Sequence, residues 1–302
     1  MTRLLVPSIA LSLAAALTPV APDAPAAPTE RVVYVTVTDA KRAPILDLTA
    51  ADFAVKEDGK TREITKAEIA TSPLRIAVII DDNGTGIFRP SAAAFMQRLL
   101  GKAEFSLSSV TGQVMKLVDY TGNASTLSEG LGKIAVRAAT NDGGQLLSGI
   151  YEAAKEIEEK KPAPARPVIL ALTVGGEEHS PLPAHHVLDQ LRKSGAGLYV
   201  VSVAASAIRG TAAVNNPAEL LGENMNKNEV IGDGPKQSGG RHDEIVAAPG
   251  IVQAVQQLAE ELASQYKLTY VLPDGVKPNE KLNVTTKRKG AVLRAPTRVP
   301  DK

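Results

Sequence analysis

The chain has 302 residues, 34 basic and 33 acidic side chains, a formal charge of +1 and no cysteine. That balance excludes a field able to draw the protein onto nucleic acid or anionic lipid, and four Phe, six Tyr and no Trp leave little material for stacking on bases or sugars. The lack of Cys removes disulfides, thiolate chemistry and a lipidated cysteine anchor together, so the fold must rest on its buried cores.

Residues 1–26 have the form of a secretory signal peptide. Arg3 precedes an apolar run over 4–17, and Ala24-Pro25-Ala26 supplies a small-residue cleavage signal. No later stretch reaches the ~18 apolar residues of a membrane span. The expected location is therefore secreted or periplasmic, with no stable membrane insertion after signal cleavage. A Pro/Ala-rich lead follows, and residues 27–70 form an N-terminal β segment. Val33, Val35 and Val37 alternate with Tyr34, Thr36 and Thr38, the period of a half-buried strand. Phe53 and Val55 alternate into Asp58-Gly59, a two-residue hairpin signal, and a return strand runs through 61–64.

The pattern changes at Leu74. The run Leu74-Arg75-Ile76-Ala77-Val78-Ile79-Ile80 ends in Asp81-Asp82 and suits a parallel strand buried on both faces. Beyond it, helices over 92–100, 125–136, 145–160 and 184–193 alternate with strands over 105–110, 114–119, 168–173 and 198–203. In the 145–160 helix Leu147, Ile150, Ala154 and Ile157 make one stripe, and Glu156 can pair with Lys160. This alternation predicts an α/β domain over 71–264, a doubly wound parallel sheet of Rossmann type with functional loops at the strand carboxyl ends. Residues 205–247 are polar and rich in Asn and Gly, and read as a long excursion with helix only near 219–222. A last helix starts at Pro249, and residues 265–302 return to β structure, with Tyr266, Leu268 and Tyr270 alternating and a turn at Asp274-Gly275. The N- and C-terminal segments are expected to join into one small antiparallel β-sandwich.

A buried strand running into Asp81-Asp82-Asn83-Gly84-Thr85 resembles the start of a von Willebrand factor A domain. The string Asp52-Phe53-Ala54-Val55-Lys56-Glu57-Asp58-Gly59-Lys60, then Ser238-Gly239-Gly240-Arg241 and the Tyr266-x-Leu268-x-Tyr270 strand, are similar to the bacterial exported proteins called VWFA-related. The resemblance spans residues 31–296 and implies a metal-ion-dependent adhesion site, where oxygen ligands hold a magnesium-type ion with one position open to a partner's carboxylate. Residue by residue, that site is degenerate here. Asp81 keeps the first carboxylate, Asn83 and Thr85 stand at the two Ser positions, Gln145 at a Thr position, and Val174 where a second carboxylate belongs. A magnesium ion demands near-octahedral oxygen coordination, so each lost ligand matters. No cofactor is expected beyond weak divalent-cation binding, and the alternative use of Asp81, Asn83 and Thr85 is to cap the following turn and helix.

Other signatures fail on inspection. Gly130-Leu131-Gly132-Lys133-Ile134 lacks the first Gly and the Ser or Thr of a phosphate loop, and no Gly-x-Ser-x-Gly elbow is present. Glu177, Glu178, His179, His185 and His186 gather without zinc-site spacing. The leading expectation is a non-enzymatic protein-interaction module. Its candidate contacts to a protein or peptide partner are Asp81, Asp82, Asn83, Thr85, Glu177 and Glu178. The alternatives are a metal-dependent hydrolase using Asp81, Asp82, Glu177 and His179, and a structural envelope component.

Overall fold

The apolar run after residue 73 forms strand β5 (Leu74–Asp81), and its residues serve two cores in alternation. The computed structural model describes residues 29–134, 144–160, 164–203, 224–247, 249–273 and 281–299. In it, Leu74, Ile76, Val78 and Ile80 face one helical layer while Ala77 and Ile79 face the other. β8 (Arg166–Val174) repeats the arrangement, with Val168, Leu170, Leu172 and Val174 on the first side and Ile169 and Ala171 on the second. Strands apolar on both faces belong in the middle of a covered sheet.

β6 (Ala103–Ser109), β9 (Gly197–Val203) and β10 (Arg241–Ile245) extend the sheet in parallel, and β7 (Met115–Thr121) closes one edge antiparallel. The order is β10-β9-β8-β5-β6-β7. The chain builds from β5 to one edge, then returns to β8 and builds to the other. That reversal creates a switch point between β5 and β8, and in open α/β sheets the crevice outside the strand carboxyl ends at such a point is where ligands bind.

Helices α1 (Arg89–Arg98), α2 (Ala124–Gly132) and α6 (Pro249–Ala263) contribute Phe95, Leu127 and Leu258 to the first layer. Helices α3 (Leu146–Lys160), α4 (Ala184–Ser194) and α5 (Met225–Ser238) contribute Ile150, Val187 and Val230 to the second. The expected stripe of α3 is buried, and Lys160 reaches Glu156 at 2.7 Å. α1 starts earlier than its apolar pattern suggests, with Pro90 in its first turn, where a missing N–H is harmless.

The expected excursion over 205–247 is corrected by α5 and β10. Asn, Gly and Pro235 depress helix propensity across Met225–Ser238, but Val230 is fully buried against the second layer and tertiary packing overrides the local preference. β10 carries Arg241, Asp243 and Glu244 and escapes an apolar-alternation test because it lies at the sheet edge. The helical expectation at 219–222, the signal peptide and the 274–275 turn lie outside the described residues. Among the described residues no helix is long and apolar enough to cross a membrane.

Strands from before and after the α/β domain do meet. One sheet has the order β13-β1-β11-β4 and the other β12-β2-β3, formed by β1 (Thr29–Thr38), β2 (Phe53–Glu57), β3 (Lys60–Arg62), β4 (Ile64–Ile69), β11 (Tyr266–Leu272), β12 (Leu282–Thr286) and β13 (Val292–Arg294). Their inner faces share a core that includes Val33, Val35, Phe53, Val55, Leu268 and Val284. Asp58 and Gly59 both have positive φ, 49° and 74°, the left-handed pair of a type I′ hairpin turn.

Candidate functional site

Asp81 is the last residue of β5 and follows Ala77 and Ile79 on the side of the sheet covered by α3, α4 and α5. Its carboxylate is 2 % exposed. Oδ2 accepts a hydrogen bond from the Thr173 hydroxyl at 2.6 Å, across the β5–β8 ladder in which the two residues are register partners. The Lys227 ammonium, on the first turn of α5, lies 3.6 Å from the same oxygen and is itself 6 % exposed. The other flank is Gly144, where a Cβ would stand 2.4 Å from Asp81 Oδ1. Gly144 is also stitched to the β8–α4 loop, its N–H donating to the Glu177 carbonyl at 3.0 Å and its carbonyl accepting from His179 N–H at 2.9 Å.

Asp82, fully buried, organises the next loop. Its Oδ1 accepts from Gly84 N–H at 2.9 Å and its Oδ2 from Gly86 N–H at 2.7 Å. Burial pushes the Asp82 carboxyl above its ordinary range, while these two amides pull it back. Asn83 and Gly84 have φ of 51° and 75°, and Thr85 N–H donates to the Asp82 carbonyl at 3.0 Å. These are the marks of a type I′ turn, for which Asn-Gly is the preferred pair. The capping expectation holds for Thr85, whose Oγ1 accepts from Ile87 N–H at 3.4 Å; the side chain that holds most of the loop is that of Asp82, and α1 follows Phe88 as its N-cap residue with no side-chain cap.

Glu178 does for α3 what Asp82 does for its own loop. Its carboxylate accepts from Leu146 N–H at 3.2 Å and Leu147 N–H at 3.3 Å, at the positive end of the helix, and from Ser180 N–H at 3.2 Å. Burial raises its carboxyl above the usual value, opposed by the Ser180 hydrogen bond and the charge of Lys227. Asn226, beside Lys227, likewise accepts from Ala184 N–H at 3.1 Å and caps α4, which lacks a side-chain cap of its own.

The remaining adhesion-site positions turn away from Asp81. Thr85 Oγ1 donates to the Asp82 carbonyl at 2.8 Å, and Gln145 Nε2 donates to the Gly112 carbonyl at 3.0 Å. Val174 packs in the opposite layer, on the first side of the sheet. Among the described residues no three His, Asp or Glu side chains gather as a metal-binding group. Among the described residues, what touches the Asp81 carboxylate is the Thr173 hydroxyl and the Lys227 ammonium, a surrounding that does not match the oxygen cage of a magnesium-type ion.

Of the six expected partner contacts, Asp81, Asp82, Asn83 and Glu178 are buried and Thr85 and Glu177 lie half-exposed at the rim. The physical reason is the same for each buried carboxylate: its oxygens are engaged by loop amides, a hydroxyl or Lys227. His179 Nε2 stands 3.6 Å from Glu177 Oε2 at the surface, while Asp81 and Asp82 are buried. His185 and His186 meet edge to face at 4.3 Å on the exposed start of α4. Sequence reasoning missed Lys227 altogether. It lies in the polar excursion, and nothing periodic links it to Asp81.

No family model and no curated protein matches the chain. Among solved structures it is similar to the conserved hypothetical protein BatB from Bacteroides thetaiotaomicron, at 15% identity over 63% of this chain and 100% of that one, with a TM-score of 0.44. A von Willebrand factor type A protein from Catenulispora acidiphila matches at 11% identity over 91% of this chain and 74% of that one, TM-score 0.42. The SpRpn10 VWA domain matches at 11% identity over 60% and 93%, TM-score 0.41. None of these likenesses bears on function, and the fold stands on the strand order itself. The chain carries a doubly wound, mostly parallel α/β domain, joined to an antiparallel sandwich made by β1–β4 and β11–β13.

Proposed function

We propose that this chain is an exported, non-enzymatic interaction module whose A-like domain meets a protein or peptide partner with the loops at the tips of β5 and β8. The observation that carries the reading is that the buried carboxylates at these tips hold the loops still: Asp82 fixes 84–86, Glu178 fixes the start of α3, and Asp81 joins β5 to β8. Loops fixed in advance lose little conformational entropy when a partner docks, which is the main saving a binding surface can make. The rim they present is Thr85, Gln145, Glu177 and His179, on a switch-point crevice. Beside it a cavity of about 120 Å³ is lined by Gly84, Ser109, Thr111, Met115, Lys133 and Ile134. Export rests on the signal-peptide pattern of residues 1–26.

Photo-crosslinkers placed at positions 85 and 177, with position 289 on the sandwich as the control, test this in the exporting cell. Discrete crosslinked species are expected from 85 and 177 and none from 289, and Thr85→Arg should abolish the crosslink from 177. Crosslinks from 289 alone would move the binding surface to the sandwich.

A further inference from the structure

We propose that Lys227 is a built-in cation: its ammonium takes the place beside Asp81 that an adhesion site gives to a divalent metal, and closes this site to metal ions. Four observations converge on it. Both side chains are almost wholly buried, at 6 % and 2 % exposure, and a charged lysine is retained at such depth when it has an opposite charge to face. Lys227 is the third residue of α5, at the positive end of the helix dipole, where a cation is disfavoured unless a tertiary partner compensates. The neighbouring Asn226 caps α4, so the lysine is delivered by an anchored helix end and not by a wandering side chain. The surrounding charge also agrees. With Val174 in the opposite layer, Asp81 is the carboxylate at this point that is not engaged by helix or loop amides, and the Lys227 charge acts on it and on the neighbouring Glu178. A divalent ion entering beside Asp81 would meet a like charge across a few ångströms of low-dielectric interior. Recognition at these tips is consequently metal-independent.

Manganese retention by the intact chain reads this without any partner, so its failure is separate from failure of the interaction reading. Free Mn²⁺, followed by its electron paramagnetic resonance signal at about 1 mM, the weak end of biological sites, is expected to be unchanged by the wild-type protein. Lys227→Glu, which exchanges the ammonium for a second carboxylate beside Asp81, should retain at least about tenfold more Mn²⁺, and adding Asp81→Asn should abolish that gain. One Mn²⁺ per wild-type chain, lost in Asp81→Asn, would overturn the proposal, as would a folded Lys227→Glu that retains no more than wild type. Should Lys227→Glu not fold, amine labelling of the unaltered chain decides. Lys227 is expected to stay unmodified with or without Mn²⁺ while exposed Lys289 reacts, and Lys227 labelling as fast as Lys289, or labelling released by Mn²⁺, would overturn it.

Discussion

Two clusters of buried charge sit at opposite purposes in this molecule. At the strand tips, Asp82 and Glu178 are held by backbone amides and Asp81 by a hydroxyl and a single ammonium. At the junction of sandwich and sheet, Glu261 of α6 pairs with Arg241 of β10 and Arg294 of β13, Asp243 pairs with Arg241 at 2.7 Å, and Arg42 reaches Asp243 at 3.1 Å. Guanidinium groups present several donors to each carboxylate and fasten elements together, whereas amides bonded to a carboxylate set the path of the chain that carries them. The junction is a fastening and the tips are a mould.

The largest effect that follows is at the junction. Glu261→Ala removes the carboxylate that two guanidinium groups share, leaving the buried Arg241 only Asp243, and should cost about 3–5 kcal/mol in urea unfolding. A loss within the range of surface substitutions would make the junction no more than a contact. Next, Asp81→Ala leaves the Lys227 ammonium buried without its carboxylate and should cost about 3 kcal/mol, largely recovered when Lys227→Met is added. Strict additivity of the two changes would show that the pair is not coupled. A smaller, pH-dependent effect belongs to Glu178. Burial raises its carboxyl in the folded state above the ordinary 4.5, so the folded chain keeps that proton to higher pH than the unfolded chain. Stability from it is present at acid pH and lost as pH rises through the folded value. Wild type should therefore lose ground to Glu178→Gln between about pH 4.5 and neutrality, and a difference in denaturation midpoint that does not vary over this window would contradict the assignment. Last, Lys160→Ala removes an exposed helix pair and should change stability by less than about 0.5 kcal/mol, the baseline against which the buried clusters are judged.

Legibility in the sequence followed the range of the forces involved. β5, α3 and the Asp58-Gly59 hairpin are written in local periodicity and turn chemistry, and they form where that chemistry places them. Asn83-Gly84 carries an equally local turn signal, but likeness to an adhesion loop drew Asn83 into a ligand set when its backbone φ of 51° marks a turn. α5 and β10 contradict local preference. Gly240 shows why, since a Cβ there would stand 1.8 Å from the Leu198 carbonyl oxygen, and what reads as loop glycine is the close approach of β10 to β9.

The sequence by itself determined the two hydrophobic periods, the covered parallel sheet, the β character of the segments that flank it, and a chemistry without thiols. Tertiary structure alone decided what faces Asp81. An ion pair between a strand end and a helix start distant in the chain leaves no periodic trace, because its energy depends on burial and separation in space and on neither residue's neighbours in sequence.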